Sequence, residues 1–125
     1  MSKKIRVLSI QPLRKPIVKD IPDDLASLQK EVQGDIQAIY PFEDRVALIC
    51  NEEGKLFQLP PNRALRTKDG TVYDIVVGDF LIAGIGEENF CSLSDDLIEK
   101  YTKLYETPDL IIQAEGRIVV FPMKQ

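Results

Sequence analysis

Seven side chains in one short stretch could recognise a ligand or partner: Asn51, Glu52, Glu53, Asn62, Arg63, Arg66 and Lys68. The first three open Asn51-Glu-Glu-Gly54, which has the composition of a tight turn with glycine supplying a positive φ. Asn62 and Arg63 follow Pro60-Pro61, a pair that stiffens the backbone and removes two amide donors. Amide, carboxylate and guanidinium groups held on such supports lose little conformational freedom on binding. Arg63, Arg66 and Lys68 are three cations within six residues, enough to hold a phosphate or nucleotide-like anion if they converge. The same residues also fit a purely architectural role, with Asn51 and Gly54 shaping the turn, Asn62 satisfying nearby backbone and Arg63 pairing with a surface acid.

Catalysis has fewer candidates. There is no histidine, which removes the commonest general base and metal ligand, and with it Ser-His-Asp, Cys-His and zinc hydrolase sites. Two cysteines, Cys50 and Cys91, cannot complete a Cys-rich zinc site or a disulfide framework. Glu52-Glu53 and Asp95-Asp96 could exchange protons only if buried close together, whereas adjacent acids at turns and helix starts face water. No catalytic residue, metal or cofactor is expected.

The elements that must position the candidates begin with Val46 to Cys50, apolar at every position. That run is strand length and contains β-branched Val46 and Ile49, so we read a buried strand. Lys55 to Leu59 reads as a strand returning from the Asn51–Gly54 turn and stopped by the two prolines. Asn62 and Arg63 would then lie on a solvent-facing loop beside that turn.

Around this centre, Ile5 to Ile10 and Ile17 to Ile21 predict an antiparallel hairpin, with Ile5, Val7 and Ser9 on one face of the first strand and Arg6, Leu8 and Ile10 on the other. Pro22-Asp-Asp24 starts a helix in which Leu25, Leu28 and Val32 form the buried stripe and Gly34 the stop. Ile36 to Phe42 is a further strand. Asp69-Gly70 marks a hairpin turn, and Val72 to Val77 and Phe80 to Ile85 are strands separated by Gly78-Asp79, a bulge, bend or corner. Ser94 caps a second helix carrying Leu97, Tyr101 and Leu104 inward, with Ile98 and Tyr105 as further candidates, and ending before Thr107-Pro108. Leu110 to Ala114 and Arg117 to Phe121 flank Glu115-Gly116 as a terminal hairpin.

The chain's 125 residues, 44% apolar, are enough for one domain with its own core. A net charge of −4 and a pI near 4.9 disfavour nucleic acid as a partner. Locally, Lys3, Lys4, Arg6, Arg14, Lys15 and Lys19 make residues 1–19 basic, either as a solvated hairpin or as a ridge for a phosphate or acidic partner. Residues 76–109 are acidic, although Lys100 and Lys103 interrupt any mimicry of nucleic acid. The longest apolar window, Ile75 to Gly86, is about half the ~20 residues a membrane helix needs and is broken by Asp79. With no leader-like start and no disulfide framework, a cytoplasmic setting is expected.

The segments IPDDLASLQKEVQGDIQAIYPFED, ALICNEEGKLFQLPPNRAL, YDIVVGDFLIAG and SLSDDLIEKY resemble a family of small uncharacterised proteins known only as a domain of unknown function. The resemblance covers roughly Ile5 to Tyr105, and its NEEGKL and LPPNRAL motifs are the specific part. Gln33 stands where a glycine is expected beside Gly34, and residues 108–125 lie outside it. It implies a setting in bacteria, their conjugative elements and phages, and it carries no activity or catalytic residue.

The expected architecture is therefore α+β: a largely antiparallel sheet that could close into a barrel, two helices and a C-terminal β-hairpin. Residues 1–107 form the domain, and residues 108–125 a hairpin packed on it or on another subunit. The expected role is a non-enzymatic binding protein for another protein, with a small anionic or nucleotide-like ligand as the alternative and self-association through the C-terminal hairpin as an option.

Overall fold

The strand around which the sequence is organised is an interior strand of the sheet, one place from its edge. In the computed structural model, which describes residues 3–123, Val46–Asn51 (β4) is buried at every position. It lies between Phe80–Ile85 (β7) on one side and Ile36–Ile39 (β3) on the other, both antiparallel. Lys4–Ile10 (β1) pairs with β7 and with Ile17–Pro22 (β2), giving the order β2-β1-β7-β4-β3. The short strand Phe90–Cys91 (β8) continues along the edge of β7 that β1 vacates, pairing with Gly84 and Ile85.

Both faces of this sheet are covered, and that is why β7 and all of β4 but its last residue, Asn51, are apolar instead of alternating with polar residues. On one face Ile5, Val7, Ala47, Ile49, Leu81 and Ala83 pack with Leu28 and Val32 of Leu25–Val32 (α1). On the other, Leu8, Ile10, Val46, Leu48, Phe80 and Ile82 pack with Tyr101 and Tyr105 of Asp95–Tyr105 (α2), and with Leu65 and Val76. The two faces expected for β1 are those observed, Ile5 and Val7 packing on one side and Leu8 and Ile10 on the other.

Leu65 and Val76 belong to a separate ribbon, Pro61–Arg66 (β5) against Val72–Val77 (β6), joined through the Asp69-Gly70 turn. The chain passes from ribbon to sheet at Gly78, whose φ of +74° makes a corner that L-residues rarely adopt. The sheet is open, not a barrel: its edge strands β2 and β3 do not pair with each other, and its two faces are covered, one by a helix and the other by a helix and the ribbon. Asp109–Ala114 (β9) and Arg117–Pro122 (β10) form a third, two-stranded sheet through a turn with positive φ at Glu115 and Gly116.

Both helices begin as the sequence indicates, with Asp24 accepting from the Ser27 amide and Ser94 from the Leu97 amide. Their stripes are narrower than expected, because Leu25 and Leu104 are exposed. At the end of α1 the left-handed position is taken by Gln33, with φ +63°, and not by Gly34. Gly34 is needed for space: a Cβ there would lie 2.6 Å from the Asn51 Nδ2 atom.

Candidate functional site

The expected returning strand, Lys55 to Leu59, does not exist. Residues 52–58 are successive turns, with Gln58 at φ +55°, and the partners of β4 come from elsewhere in the chain. The two prolines do not leave a loop behind them either. Pro61 is the first residue of β5, a position that tolerates a missing donor.

Asn62 and Arg63, expected in solvent, are 0% and 1% exposed. Pairing of β5 with β6 slips between Pro61 and Arg63, so Asn62 is the extra residue of a β-bulge. A regular strand would send consecutive side chains to opposite faces; the bulge lets both turn inward. Asn62 Nδ2 donates to the carbonyls of Ile10 and Gly78, each at 2.8 Å. Arg63 donates to the carbonyls of Tyr105, Gln11, Arg14 and Asn62 and, at 2.9 Å, to Asn62 Oδ1. Burial lowers its pKa, an effect that the charge of Asp109 opposes. These side chains hold the ribbon, the β1–β2 connection and the end of α2 together, and their polar groups are spent on backbone and on each other.

The remaining candidates are dispersed. Asn51 is buried and structural: its Nδ2 donates to the carbonyls of Val32 and Gln33 at the end of α1, and its Oδ1 accepts from the Glu53 amide. Glu52 and Glu53 are exposed. Arg66 pairs with Asp109 at 2.9 Å, and Lys68 with Glu43 at 2.8 Å on the surface. The three cations thus do not converge on a phosphate-sized site. The basic N-terminal stretch is also partly neutralised, Arg6 by Asp20 and Lys19 by Glu31. Cys50 is buried and its thiol pKa is pushed up, chiefly by desolvation, the opposite of activation.

What the fold does build is a cleft of about 1150 Å³ between the ribbon and the terminal hairpin. Val76 of β6 faces the core, so its neighbours Ile75 and Val77 face outward and line one wall. Ile111, Ile118, Val119 and Val120 of the hairpin line the other, and the Lys55–Asp74 ion pair is part of the lining. Tyr73, itself exposed, also lines the cleft. Asp109 fixes the width of the cleft at its root: its Oδ2 accepts from the Ala64 amide at 2.9 Å, and both its oxygens accept from Arg66. Sequence reasoning named Arg66 but missed Asp109. The only available signal was an acid placed between Pro108 and an apolar run, which does not announce a partner in a distant strand.

A family model described as Domain of unknown function (DUF3846) matches residues 5–106. No curated protein and no solved structure matches the chain. Among the described residues, no helix is long and apolar enough to cross a membrane.

Proposed function

From a chain that belongs to the DUF3846 family, a domain of unknown function, we propose a binding protein without chemistry of its own, which takes an extended apolar segment of another protein into the cleft between β5–β6 and β9–β10. The cleft itself carries this reading. It is walled by two ribbons, each strand pair having an edge that is unpaired among the described residues. Its walls are mostly aliphatic. An extended peptide matches such a slot, with side chains entering apolar pockets and backbone groups meeting an open strand edge. A setting in the cytoplasm of a bacterium, as an accessory product of a mobile element or phage-related locus, is supported by the resemblance of the NEEGKL and LPPNRAL motifs. The alternative, a small anionic ligand on Arg63, Arg66 and Lys68, gains no support from three cations already engaged elsewhere.

Site-specific photo-crosslinking in the cells that carry the protein tests the proposal. A crosslinking residue at Tyr73, beside the cleft, is expected to trap a discrete protein that Ile75→Glu abolishes, while the same residue at Lys30 on α1 traps none of it. No adduct at position 73, or the same adduct from position 30, would overturn it.

A further inference from the structure

The terminal hairpin is apolar on both faces: one walls the cleft and rests on the ribbon at its root, and the other meets nothing among the described residues. Cross-strand partners share a face, so Asp109, Ile111 and Val120 look toward the ribbon, and these are buried or half-buried. The pairs Leu110–Phe121 and Ile112–Val119 look away. These four side chains are 40%, 50%, 43% and 43% exposed, a contiguous apolar patch with no covering element among the described residues, Val119 also bordering the cleft. We propose that a second copy of this chain covers it, the two hairpins packing outer face to outer face about a two-fold axis parallel to their strands.

The pairing register makes the patch complementary to itself. Rotation about that axis lays β9 of one copy over β10 of the other, and cross-strand partners lie at the same height. Leu110 therefore meets the second copy's Phe121, and Ile112 meets its Val119. Charge follows the same pattern. The tip of the hairpin carries Glu115 and, on the outer face opposite Ala114, Arg117. In the proposed pair each Arg117 comes over the strand end that leads into the other copy's Glu115, giving two equivalent opposite-charge contacts. The face itself offers a foreign acidic or basic partner little net charge, because apart from Arg117 its side chains, Leu110, Ile112, Ala114, Val119 and Phe121, are apolar. The hairpin also lies beyond residues 5–106, so the device is an addition to the family domain. One hairpin face spans roughly 20 Å by 10 Å, less than the ~800 Å² per partner of a standard interface, so association should be weak and readily reversible.

Sedimentation of the full-length chain from about 5 to 500 µM tests this, a range chosen for weak association. The expected result is a monomer–dimer equilibrium whose dissociation constant rises at least ~10-fold in Ile112→Lys, with an unchanged circular dichroism spectrum because the site is exposed. Glu115→Arg and Arg117→Glu should each weaken the dimer, and an equimolar mixture of these two variants should restore it. A monomer at every concentration, a dimer indifferent to Ile112→Lys, or a mixture no stronger than either variant would overturn the proposal. Photo-crosslinks from Tyr73 report the inner cleft and are expected to persist in Ile112→Lys, so the two readings fail separately.

Discussion

Arg63 donates from both Nε and Nη2 to the carbonyl of Tyr105, the last residue of α2, at 3.3 and 2.9 Å. A guanidinium thus caps the negative end of a helix from inside the protein, where the unsatisfied carbonyls and the helix dipole both favour a cation. The same group reaches Gln11 and Arg14. One side chain therefore ties together three segments remote in sequence.

Removing it should be costly. Arg63→Ala is expected to lower the unfolding free energy by about 3 to 5 kcal/mol, because several buried carbonyls lose their donors at once. Arg63→Lys should recover less than half of this, since one ammonium cannot span three segments in the fixed fork of a guanidinium. Urea denaturation measures both; an unchanged midpoint for the alanine variant would refute the clamp.

The end of α1 gives a pair of opposite effects. Gln33→Gly should stabilise the protein by about 1 kcal/mol by relieving a left-handed L-residue. Gly34→Ala should destabilise it by at least ~1 to 2 kcal/mol, because the added methyl displaces the Asn51 amide from its carbonyls. Thermal melts of the two variants should move in opposite directions.

Asp44 provides a pH signature. Its carboxylate accepts from Lys100 Nζ at 2.6 Å and from the Tyr101 hydroxyl at 2.7 Å, and these bonds hold its pKa below the ordinary value. A depressed folded-state pKa stabilises the fold above the unfolded value of ~3.9, and that stability disappears as pH falls through the lower folded value. Asp44→Asn should therefore be less stable than the natural chain at pH 7, the gap closing as the solution is acidified below the unfolded value. Denaturation midpoints at neutral and acid pH report it, and a gap that is constant with pH would exclude the electrostatic account.

Asp109→Ala isolates the hairpin from the domain. It strips the Ala64 amide and Arg66 of their acceptor, a loss of about 2 to 3 kcal/mol. Amide exchange in β9 and β10 should quicken by more than in β4 or β7, which do not touch this carboxylate. Uniform acceleration across the chain would show that the hairpin is not a separate cooperative unit.

Where structure follows from neighbours in sequence, it was legible. Asp24 and Ser94 cap the helices, Asp69-Gly70 and Glu115-Gly116 turn the hairpins, and Val46 to Cys50 lies in a doubly covered strand. The candidate site was much less so. Asn62 and Arg63 look like ligand-binding groups because their partners are carbonyls of Ile10, Gln11, Arg14, Gly78 and Tyr105, which no local pattern brings near. The inward turn of both residues depends on a register slip against β6, a tertiary event. Lys55 to Leu59 has strand-like composition but no edge to pair with, since β3 and β7 already occupy both sides of β4. The cleft needs two ribbons to meet, and the contact that joins them, Asp109 with Ala64 and Arg66, spans more than forty residues.

The sheet order also dictates when this protein can fold. Leu8 is paired with Ile82, and Val46 with Gly84, so a chain emerging from the ribosome must hold its first two strands and α1 without their central neighbour until β7 has left the exit tunnel. Until then the edges of β1 and β4 are bare and apolar, a state in which nascent β-proteins pair wrongly with one another. Chaperone dependence during synthesis should accordingly fall once residues beyond Ile85 are exposed, before the terminal hairpin has emerged from the tunnel.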